Sequence, residues 1–275
     1  MKTKKIGLVG IYFPGAYDAL HENVPEGFEL VDALSPEAYG NLADCEYLIS
    51  RLDIDPDIIN HTPNVKFWQR WGAGFDHVDL KAWGERGIPI ATCPGVNSGI
   101  VAELAIMLML AGYRNLLQIN RQLRAGHWPR TEYFGRSFMI KGKTVGVLGL
   151  GHIGKKVAAL ASAFGANVIY YDIVRQPEQE EQFGYRFVDF DTLLKESDIF
   201  TIHCPLNEET RGMIGATQFA KMKPTAMLIN TARGPIVDEA ALVDALTTGK
   251  IATAGLDTYE HEPLPKDHPL LTSTW

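Results

Sequence analysis

Short apolar runs alternate with helix-forming and turn-forming segments along the first third of the chain. The runs predict buried strands at Ile6–Val9, Glu29–Val31, Tyr47–Ser50, Lys66–Trp71 and Pro89–Ala91. Helix-like segments lie between them, such as Ser35–Leu42, where Ser35 is a candidate cap and Pro36 suits the first turn. Continuous apolar strands separated by helices are typical of a parallel sheet covered on both faces.

The pattern changes after Cys93-Pro94-Gly95 to a long apolar helix, from about Ser98 to Asn115, with Asn97 or Ser98 as its cap. Glu103 is the only acidic residue of this helix. Most of the helix surface should therefore be covered, by another domain or by a second subunit. The apolar run is also too short to cross a bilayer, so no membrane span is expected.

The alternation of strands and helices resumes from Lys143 onward. Strands are predicted at Thr144–Leu148, Val168–Tyr171, Ile199–His203, Ala226–Asn230 and Thr253–Asp257. Helices are predicted at Lys155–Phe164, Asp191–Lys195, Ala216–Met222 and Glu239–Thr247. We therefore expect an α/β protein with two doubly wound parallel-sheet domains, residues 1–95 and 96–275, joined by a hinge near residues 93–97.

Composition narrows the class of partner. Hydrophobic residues make up 46% and charged residues 21% of the chain, as in soluble globular enzymes. The net charge of −7 argues against a nucleic-acid or anionic-membrane surface and favours small-molecule partners. Cys45, Cys93 and Cys204 lie far apart, which suits a reducing, cytoplasmic environment and neither a disulfide framework nor a metal site.

A glycine motif follows the predicted strand Thr144–Leu148 and opens a helix. In this context Gly149 makes the tight turn, Gly151 lets the backbone approach a pyrophosphate, and Gly154 lets helix and strand pack closely. The amides at the helix N-terminus favour bound phosphates. This arrangement predicts a dinucleotide site.

The next predicted strand runs into Asp172. Its carboxylate is placed to accept hydrogen bonds from the adenosine ribose and would repel a 2′-phosphate, so NAD is favoured over NADP as cofactor. Arg175 lies three residues further on, and an arginine at this place can instead accommodate that phosphate.

Several later segments together resemble the D-2-hydroxyacid dehydrogenases, from about Tyr47 to the end of the chain. They are the glycine loop and the stretches 71–79, 203–211, 229–235 and 255–264. The resemblance implies a flavodoxin-like substrate-binding domain, a Rossmann NAD-binding domain, and hydride transfer between NAD(H) and C2 of a D-2-hydroxy acid or 2-oxo acid.

The resemblance also implies roles for particular residues. Arg233 matches the family's arginine, whose fork can hold the substrate carbonyl and carboxylate as negative charge develops on the carbonyl oxygen. Glu262 matches the carboxylate that orients the proton donor. Without the motifs, Arg233 would read as a surface arginine and Glu262 as a solvated loop acid.

Further residues match family positions that line the substrate and the cofactor. Substrate-binding positions are Arg51, Ala73 and Gly74, although a surface ion pair also explains Arg51. Cofactor-binding positions are Gly149, Gly151, His152, Ile153, Gly154, Asp172, His203, Cys204, Pro205, Thr231, Ala232, Arg233 and Asp257. Candidates for a substrate phosphate or second carboxylate are Arg51, Arg70, Arg130 and Arg136, any of which could equally be a surface residue.

The family's proton donor is a histidine in a Pro-His-x-Gly segment beyond the glutamate, and this sequence ends at Trp275 without one. We therefore expect both domains to lack their C-terminal parts and turnover of this chain to be impaired. We expect His268 to be a loop residue rather than the donor.

Three other functions remain open at this stage: a non-enzymatic NAD-responsive protein of the corepressor type, a formate dehydrogenase, and an inactive fragment. The formate enzymes carry glutamine where Glu262 stands, so they resemble the chain less well. The apolar helix from Ser98 and the segment Arg124–Trp128 resemble the elements by which family members pair. A homodimer is therefore expected.

Overall fold

A computed structural model of the protein describes residues 3–52 and 54–272. The remaining residues of the predicted domain ranges, at the two ends of the chain and at position 53, lie outside the described residues. Contacts divide the chain into an N-terminal unit, up to Val96, and a C-terminal unit, from Asn97.

The N-terminal unit is a parallel five-stranded sheet in the order β2-β1-β3-β4-β5. This is the flavodoxin-like order. Its strands are β1 Lys4–Gly10, β2 Phe28–Ala33, β3 Tyr47–Arg51, β4 Phe67–Arg70 and β5 Ile90–Ala91. Its helices are α1 Pro14–Glu22, α2 Ile58–His61 and α3 Leu80–Glu85, together with a 3₁₀ segment, Pro36–Asp44.

The segment after Ser35 differs from the expectation. It winds as a 3₁₀ helix rather than an α-helix, and the Ser35 side chain makes no capping bond to it. A hydrogen bond from Ser35 instead lowers the pKa of Glu37. The helix α1 was not foreseen, because only Ala16 is buried along it and no side chain caps it.

The C-terminal unit is a parallel six-stranded sheet in the order β11-β10-β9-β6-β7-β8. Its strands are β6 Thr144–Leu148, β7 Asn167–Tyr171, β8 Arg186–Phe187, β9 Ile199–Ile202, β10 Met227–Asn230 and β11 Thr253–Leu256. Its helices are α4 Ser98–Tyr113, α5 Leu116–Arg124, α6 His152–Ala163, α7 Pro177–Phe183, α8 Phe190–Glu196, α9 Ala216–Phe219, α10 Glu239–Thr247 and α11 Pro269–Thr272, with a 3₁₀ turn Gly234–Ile236. The chain reverses its direction across the sheet between β6 and β9, and ligands of open α/β sheets bind at such a switch point.

Apolar cores lie on both faces of this sheet. One includes Ala105, Val157 and Tyr170, and the other includes Phe200 and Leu242. Every residue of β9 and β10 is buried. The continuous apolar runs of the sequence therefore reflect strands covered on both sides.

The long apolar helix is shorter than expected. It ends at Tyr113, and Asn115 adopts a left-handed φ of 51° before α5 begins. The Asn97 side chain makes no capping bond at its start. Among the described residues no single helix has the length and apolar character to cross a membrane, although α4 and α5, bent by 60°, reach that length and composition as a pair.

Candidate active site

The glycine loop joins β6 to α6 at the switch point of the larger sheet. Gly149 has a φ of +90°, a conformation that favours glycine, and its amide donates to Tyr171 O at 2.8 Å. The helix begins at His152, three residues before the predicted start at Lys155. The first-turn amides, those of His152 and Ile153 among them, therefore face the end of the loop without intrahelical partners.

The space available for a Cβ differs among the three glycines of the loop and distinguishes their roles. A Cβ on Gly149 would lie 2.7 Å from the Cys204 amide nitrogen, and one on Gly154 would lie 2.0 Å from Gly149 O. A Cβ on Gly151 would meet nothing within 4 Å. Gly149 and Gly154 are thus required by packing inside the protein, whereas Gly151 borders open space where a pyrophosphate fits against the helix N-terminus.

Asp172 follows β7 and is bonded to the glycine loop. Its Oδ2 accepts from the Leu150 amide at 2.6 Å, and its Oδ1 accepts from the Val174 amide at 3.1 Å. The carboxylate therefore fixes the loop, while its remaining lone pairs are available for ribose hydroxyls.

His203, Cys204 and Pro205 follow β9, directly across the switch point from the glycine loop. The His203 amide donates to Leu148 O at 2.7 Å, and its Nε2 lies 2.8 Å from Thr201 Oγ1. Burial lowers the pKa of His203 to about 3 and raises that of Cys204 to about 11. Burial therefore favours the neutral form of both side chains near pH 7.

Asn230, at the end of β10, organises the loop that carries Arg233. It is 1% exposed; its Oδ1 accepts from the Ala232 amide at 3.0 Å and its Nδ2 donates to Arg233 O at 2.9 Å. The Arg233 guanidinium donates to Ala232 O at 2.7 Å. Thr231 Oγ1 is buried and has no hydrogen-bond partner among the described residues, so a ligand group can satisfy it. Asn230 was not among the residues predicted from the sequence, although its place at the end of a buried strand was a usable signal.

Glu262 lies on the loop after β11, beside the Arg233 loop. A Cβ on Gly234 would come within 1.9 Å of the Tyr259 backbone, so glycine is needed for the two loops to touch. Glu262 Oε1 accepts from the Tyr259 amide at 2.9 Å. Partial burial and the negative charge of Glu262 raise the pKa of Asp257. The structure thus gathers Arg233, Asp257 and Glu262 at the carboxyl ends of neighbouring strands.

His268 is held by Glu239, the first residue of α10. Its Nε2 lies 2.9 Å from Glu239 Oε1, and its Nδ1 accepts from the Leu270 amide at 3.3 Å. Glu239 Oε2 also accepts from the Glu260 amide at 3.1 Å. Glu239 therefore ties both ends of the segment that carries Glu262, a role that the sequence analysis missed.

The N-terminal unit holds Arg51, Ala73 and Gly74. Arg51 donates to Ile11 O at 3.2 Å and stacks on the Phe13 ring at 4.8 Å. Ala73 and Gly74 lie in the turn after β4, where Arg70 donates to Gly74 O and to Leu52 O, the latter at 2.8 Å. Arg70 is 9% exposed and bonded to two loops, so it is not a surface residue. The substrate roles of Arg51, Ala73 and Gly74 stay predictions.

The residues of the larger unit fit a dinucleotide along the switch point. The open side of Gly151 suits the pyrophosphate, Asp172 stands at the end of β7 for the ribose, and the unpartnered Thr231 hydroxyl lies on the opposite side, at the end of β10. In the part of the chain that the structure describes, no group of three or more His, Cys, Asp or Glu residues could hold a metal ion.

Residues 106–274, more than half of the chain, match the NAD-binding domain of the D-isomer-specific 2-hydroxyacid dehydrogenases. The chain belongs to this family. Its members are NAD-dependent oxidoreductases, which agrees with the glycine loop and with the motifs of the sequence.

Curated relatives carry names from the same family. A D-3-phosphoglycerate dehydrogenase of Archaeoglobus fulgidus is 45% identical over 222 residues, which are 81% of this chain and 42% of that protein. A glyoxylate reductase of Thermofilum pendens is 43% identical over 239 residues, 85% of this chain and 70% of that protein. The chain thus spans less than half of the first protein and somewhat over two thirds of the second.

Solved structures of 2-hydroxyacid dehydrogenases and a related enzyme have the same fold. The holo form of D-mandelate dehydrogenase from Rhodotorula graminis has a TM-score of 0.89 at 31% identity, covering 100% of this chain and 86% of that one. An NAD-dependent formate dehydrogenase from Staphylococcus aureus, in complex with NAD, has a TM-score of 0.84 at 30% identity, covering 98% of this chain and 85% of that one. The expected α/β architecture of two parallel sheets is confirmed.

Proposed function

We propose that this chain binds NADH and reduces a small 2-oxo acid to the D-2-hydroxy acid. The observation that carries the proposal is the placement of Arg233 and Glu262 on touching loops at the ends of β10 and β11, in the domain that carries the glycine loop. NADH, when bound, supplies the hydride that adds to the carbonyl carbon. The names of the relatives favour glyoxylate and 3-phosphohydroxypyruvate as the classes of acid to try first.

Arg233 stabilises the charge that develops on the carbonyl oxygen. Two parallel N–H groups of its guanidinium can grip the carbonyl and carboxylate oxygens together, which lysine cannot do. The Asn230 amide holds the Arg233 carbonyl, so the loop is fixed before substrate arrives. Such preorganised donors are worth about 10²–10³ in rate.

Glu262 is proposed to orient the group that donates the proton. Its backbone-bonded carboxylate is held against the loop, and its negative charge favours a protonated imidazole nearby. His203 is not that donor, because burial keeps it neutral. His268 has both ring nitrogens engaged, one by Glu239 and one by the Leu270 amide. The alkoxide oxygen therefore takes its proton from water in this chain, and turnover should be about 10²–10⁴-fold slower than with a positioned general acid.

The test measures binding and turnover separately. We expect NADH to bind, as measured by titration of its fluorescence. Oxamate, an unreactive isostere of a 2-oxo acid, should then bind to the NADH complex. Turnover is followed as loss of NADH absorbance with glyoxylate, hydroxypyruvate, pyruvate and 3-phosphohydroxypyruvate. Arg233→Lys should weaken oxamate binding and lower kcat/KM by about 10²-fold, a larger loss than any change in NADH affinity.

Arg211→Lys is the matched control, since Arg211 is exposed on the loop beyond β9. It should leave both measurements unchanged. If NADH binds but neither oxamate nor any of the four acids does, the protein is an NADH-responsive binding protein and the proposal is wrong.

The enzyme is further proposed to be a homodimer paired through α4 and the segment after α5. Support comes from large apolar side chains left open to solvent there: Ile100 is 74%, Met107 55% and Trp128 79% exposed. An apolar face of this kind is typical of an obligate interface.

Light scattering at micromolar concentration should give twice the chain mass. Met107→Lys should lower the mass toward that of one chain, whereas Ile11→Lys, at an equally exposed apolar position of the N-terminal unit, should not. A monomeric wild-type protein would contradict the homodimer.

A reducing, cytoplasmic location is proposed as well. Cys45, Cys93 and Cys204 are all free thiols in the structure. Burial raises the pKa of Cys45 and of Cys204 to about 11, so neither is prone to react as a thiolate.

A further inference from the structure

Arg175 is paired with Glu180 at the edge of the adenosine-ribose site. Its Nε donates to Glu180 Oε1 at 2.8 Å and its NH2 group donates to Oε2 at 2.7 Å, so the fork is bidentate. The guanidinium also lies over the Phe187 ring at 5.7 Å. Glu180 is 18% exposed as a side chain and Arg175 61%, so the acid is the better-anchored member of the pair.

Glu180 is anchored through the end of β7 and the loop that follows it. Tyr170 donates its hydroxyl to Glu180 Oε1 at 2.8 Å and accepts from the Gln176 amide at 2.8 Å. The Gln176 side chain then donates to Leu150 O, in the glycine loop, at 3.0 Å. The Arg175 guanidinium and the Tyr170 hydroxyl hold the pKa of Glu180 well below its usual range, at about 2, so the acid is ionised throughout the neutral range.

We propose that Glu180 is a specificity-determining residue for the cofactor, because it occupies the Arg175 fork that would otherwise bind a 2′-phosphate. Asp172 stands three residues before Arg175, where a 2′-phosphate would lie. The phosphate would therefore meet the carboxylate of Asp172 and an arginine whose Nε–NH2 fork is already engaged by Glu180. Two acids therefore select NAD. Asp172 repels the 2′-phosphate, and Glu180 engages the arginine that would otherwise bind it.

The alternative is that Glu180 acts only through its negative charge. Removing that charge would then favour NADPH whether or not Arg175 is present. The two explanations separate in a double variant, because only the proposed mechanism needs the Arg175 fork.

The experiment compares equilibrium binding of NADH, NADPH and adenosine 2′,5′-bisphosphate by calorimetry and fluorescence. Glu180→Gln keeps the side chain's size and leaves an oxygen for Tyr170. We expect NADPH and adenosine 2′,5′-bisphosphate to bind about tenfold more tightly than to wild type, with NADH within about twofold. Glu180→Gln combined with Arg175→Gln should bind NADPH no more tightly than Arg175→Gln alone.

Glu196→Gln is the matched control, since Glu196 forms a similar exposed ion pair with Arg186 in the same unit. It should leave all three affinities as they are. An unchanged NADPH-to-NADH ratio in Glu180→Gln, a gain that survives in the double variant, or a loss of NADH binding in Glu180→Gln would each overturn the proposal. The measurements use no 2-oxo acid and rest on the NAD-binding domain alone, so their outcome is independent of the proposed substrate.

Discussion

At the scale of single residues, the polar side chains of the site form hydrogen bonds with the backbone around them. Asp172 accepts from the Leu150 and Val174 amides, and Asn230 bonds the Ala232 amide and the Arg233 carbonyl. Their side chains are thereby fixed in place before a ligand binds. Preorganisation of this kind lowers the entropic cost of binding.

Replacing Asp172 tests the ribose assignment. Asp172→Asn removes the charge and one carboxylate acceptor, so NADH should bind about tenfold more weakly and NADPH should come within about tenfold of it. Titrations that follow the fluorescence of each reduced cofactor measure the two affinities. Asp189→Asn, which alters an acid that caps α8 away from the site, should change neither affinity. Unchanged binding in Asp172→Asn would show that another residue selects NAD.

At the scale of elements, Asp198 ties together the strands that bear the site. Its backbone links β6 to β10 through bonds with Thr144 and Met227, and its carboxylate accepts from the Thr144 amide at 2.9 Å and from Lys223 at 2.8 Å. Burial acts to raise the pKa of Asp198, but the Lys223 ammonium and the Thr144 amide outweigh it and the pKa is lowered. The ionised acid is therefore part of the sheet's stability.

Asp198→Asn should lower the free energy of unfolding by about 1–3 kcal/mol near pH 7, because the partly buried Thr144 amide and Lys223 ammonium lose a charged partner. A lowered folded-state pKa means that the contribution is present above the unfolded pKa of about 3.9 and is lost as pH falls through the folded value. The difference between wild type and variant should thus persist at neutral pH and shrink below about pH 4. Urea unfolding at several pH values measures it. A difference that stays constant into strong acid would contradict this account.

At the scale of the molecule, the chain consists of two units with separate sheets and separate cores. The core of the N-terminal unit includes Leu48, Trp68 and Trp83, whereas the C-terminal unit packs both faces of its own sheet. A ligand that binds one unit can therefore stabilise that unit without stabilising the other.

NADH should stabilise the C-terminal unit selectively. At a concentration about 100 times its Kd, a ligand stabilises the form that binds it by about 2.7 kcal/mol. Hydrogen exchange should slow most in the glycine loop and in β6, while β1 and β2 of the N-terminal unit keep their exchange rates. AMP, which lacks the nicotinamide half, should protect the residues after β7 but not those after β10. Equal protection of β1 and β2 by NADH would contradict a site built on the glycine loop.

The sequence alone predicted the fold class, the cofactor motif and every described strand except β8. Runs such as Ile199–Ile202 are apolar at every position because both faces of the sheet are covered, and that pattern is local. The glycine loop is equally local, since its three glycines, strand and helix are contiguous. The family motifs around Arg233 and Glu262 could be recognised for the same reason, because each is a contiguous stretch of the sequence.

Contacts between residues from separate loops depend on the tertiary fold. Gly234 against Tyr259, and Glu239 against both Glu260 and His268, join residues from separate loops, and no local pattern encodes such contacts. From the sequence, Arg175 was a residue that could accommodate a 2′-phosphate; its pairing with Glu180 depends on how the chain turns after β7. The Ser35 segment became a 3₁₀ helix without its expected cap. Strand and turn preferences act over a few residues, whereas these pairings follow from the side chains that the completed sheet brings within a hydrogen bond of one another.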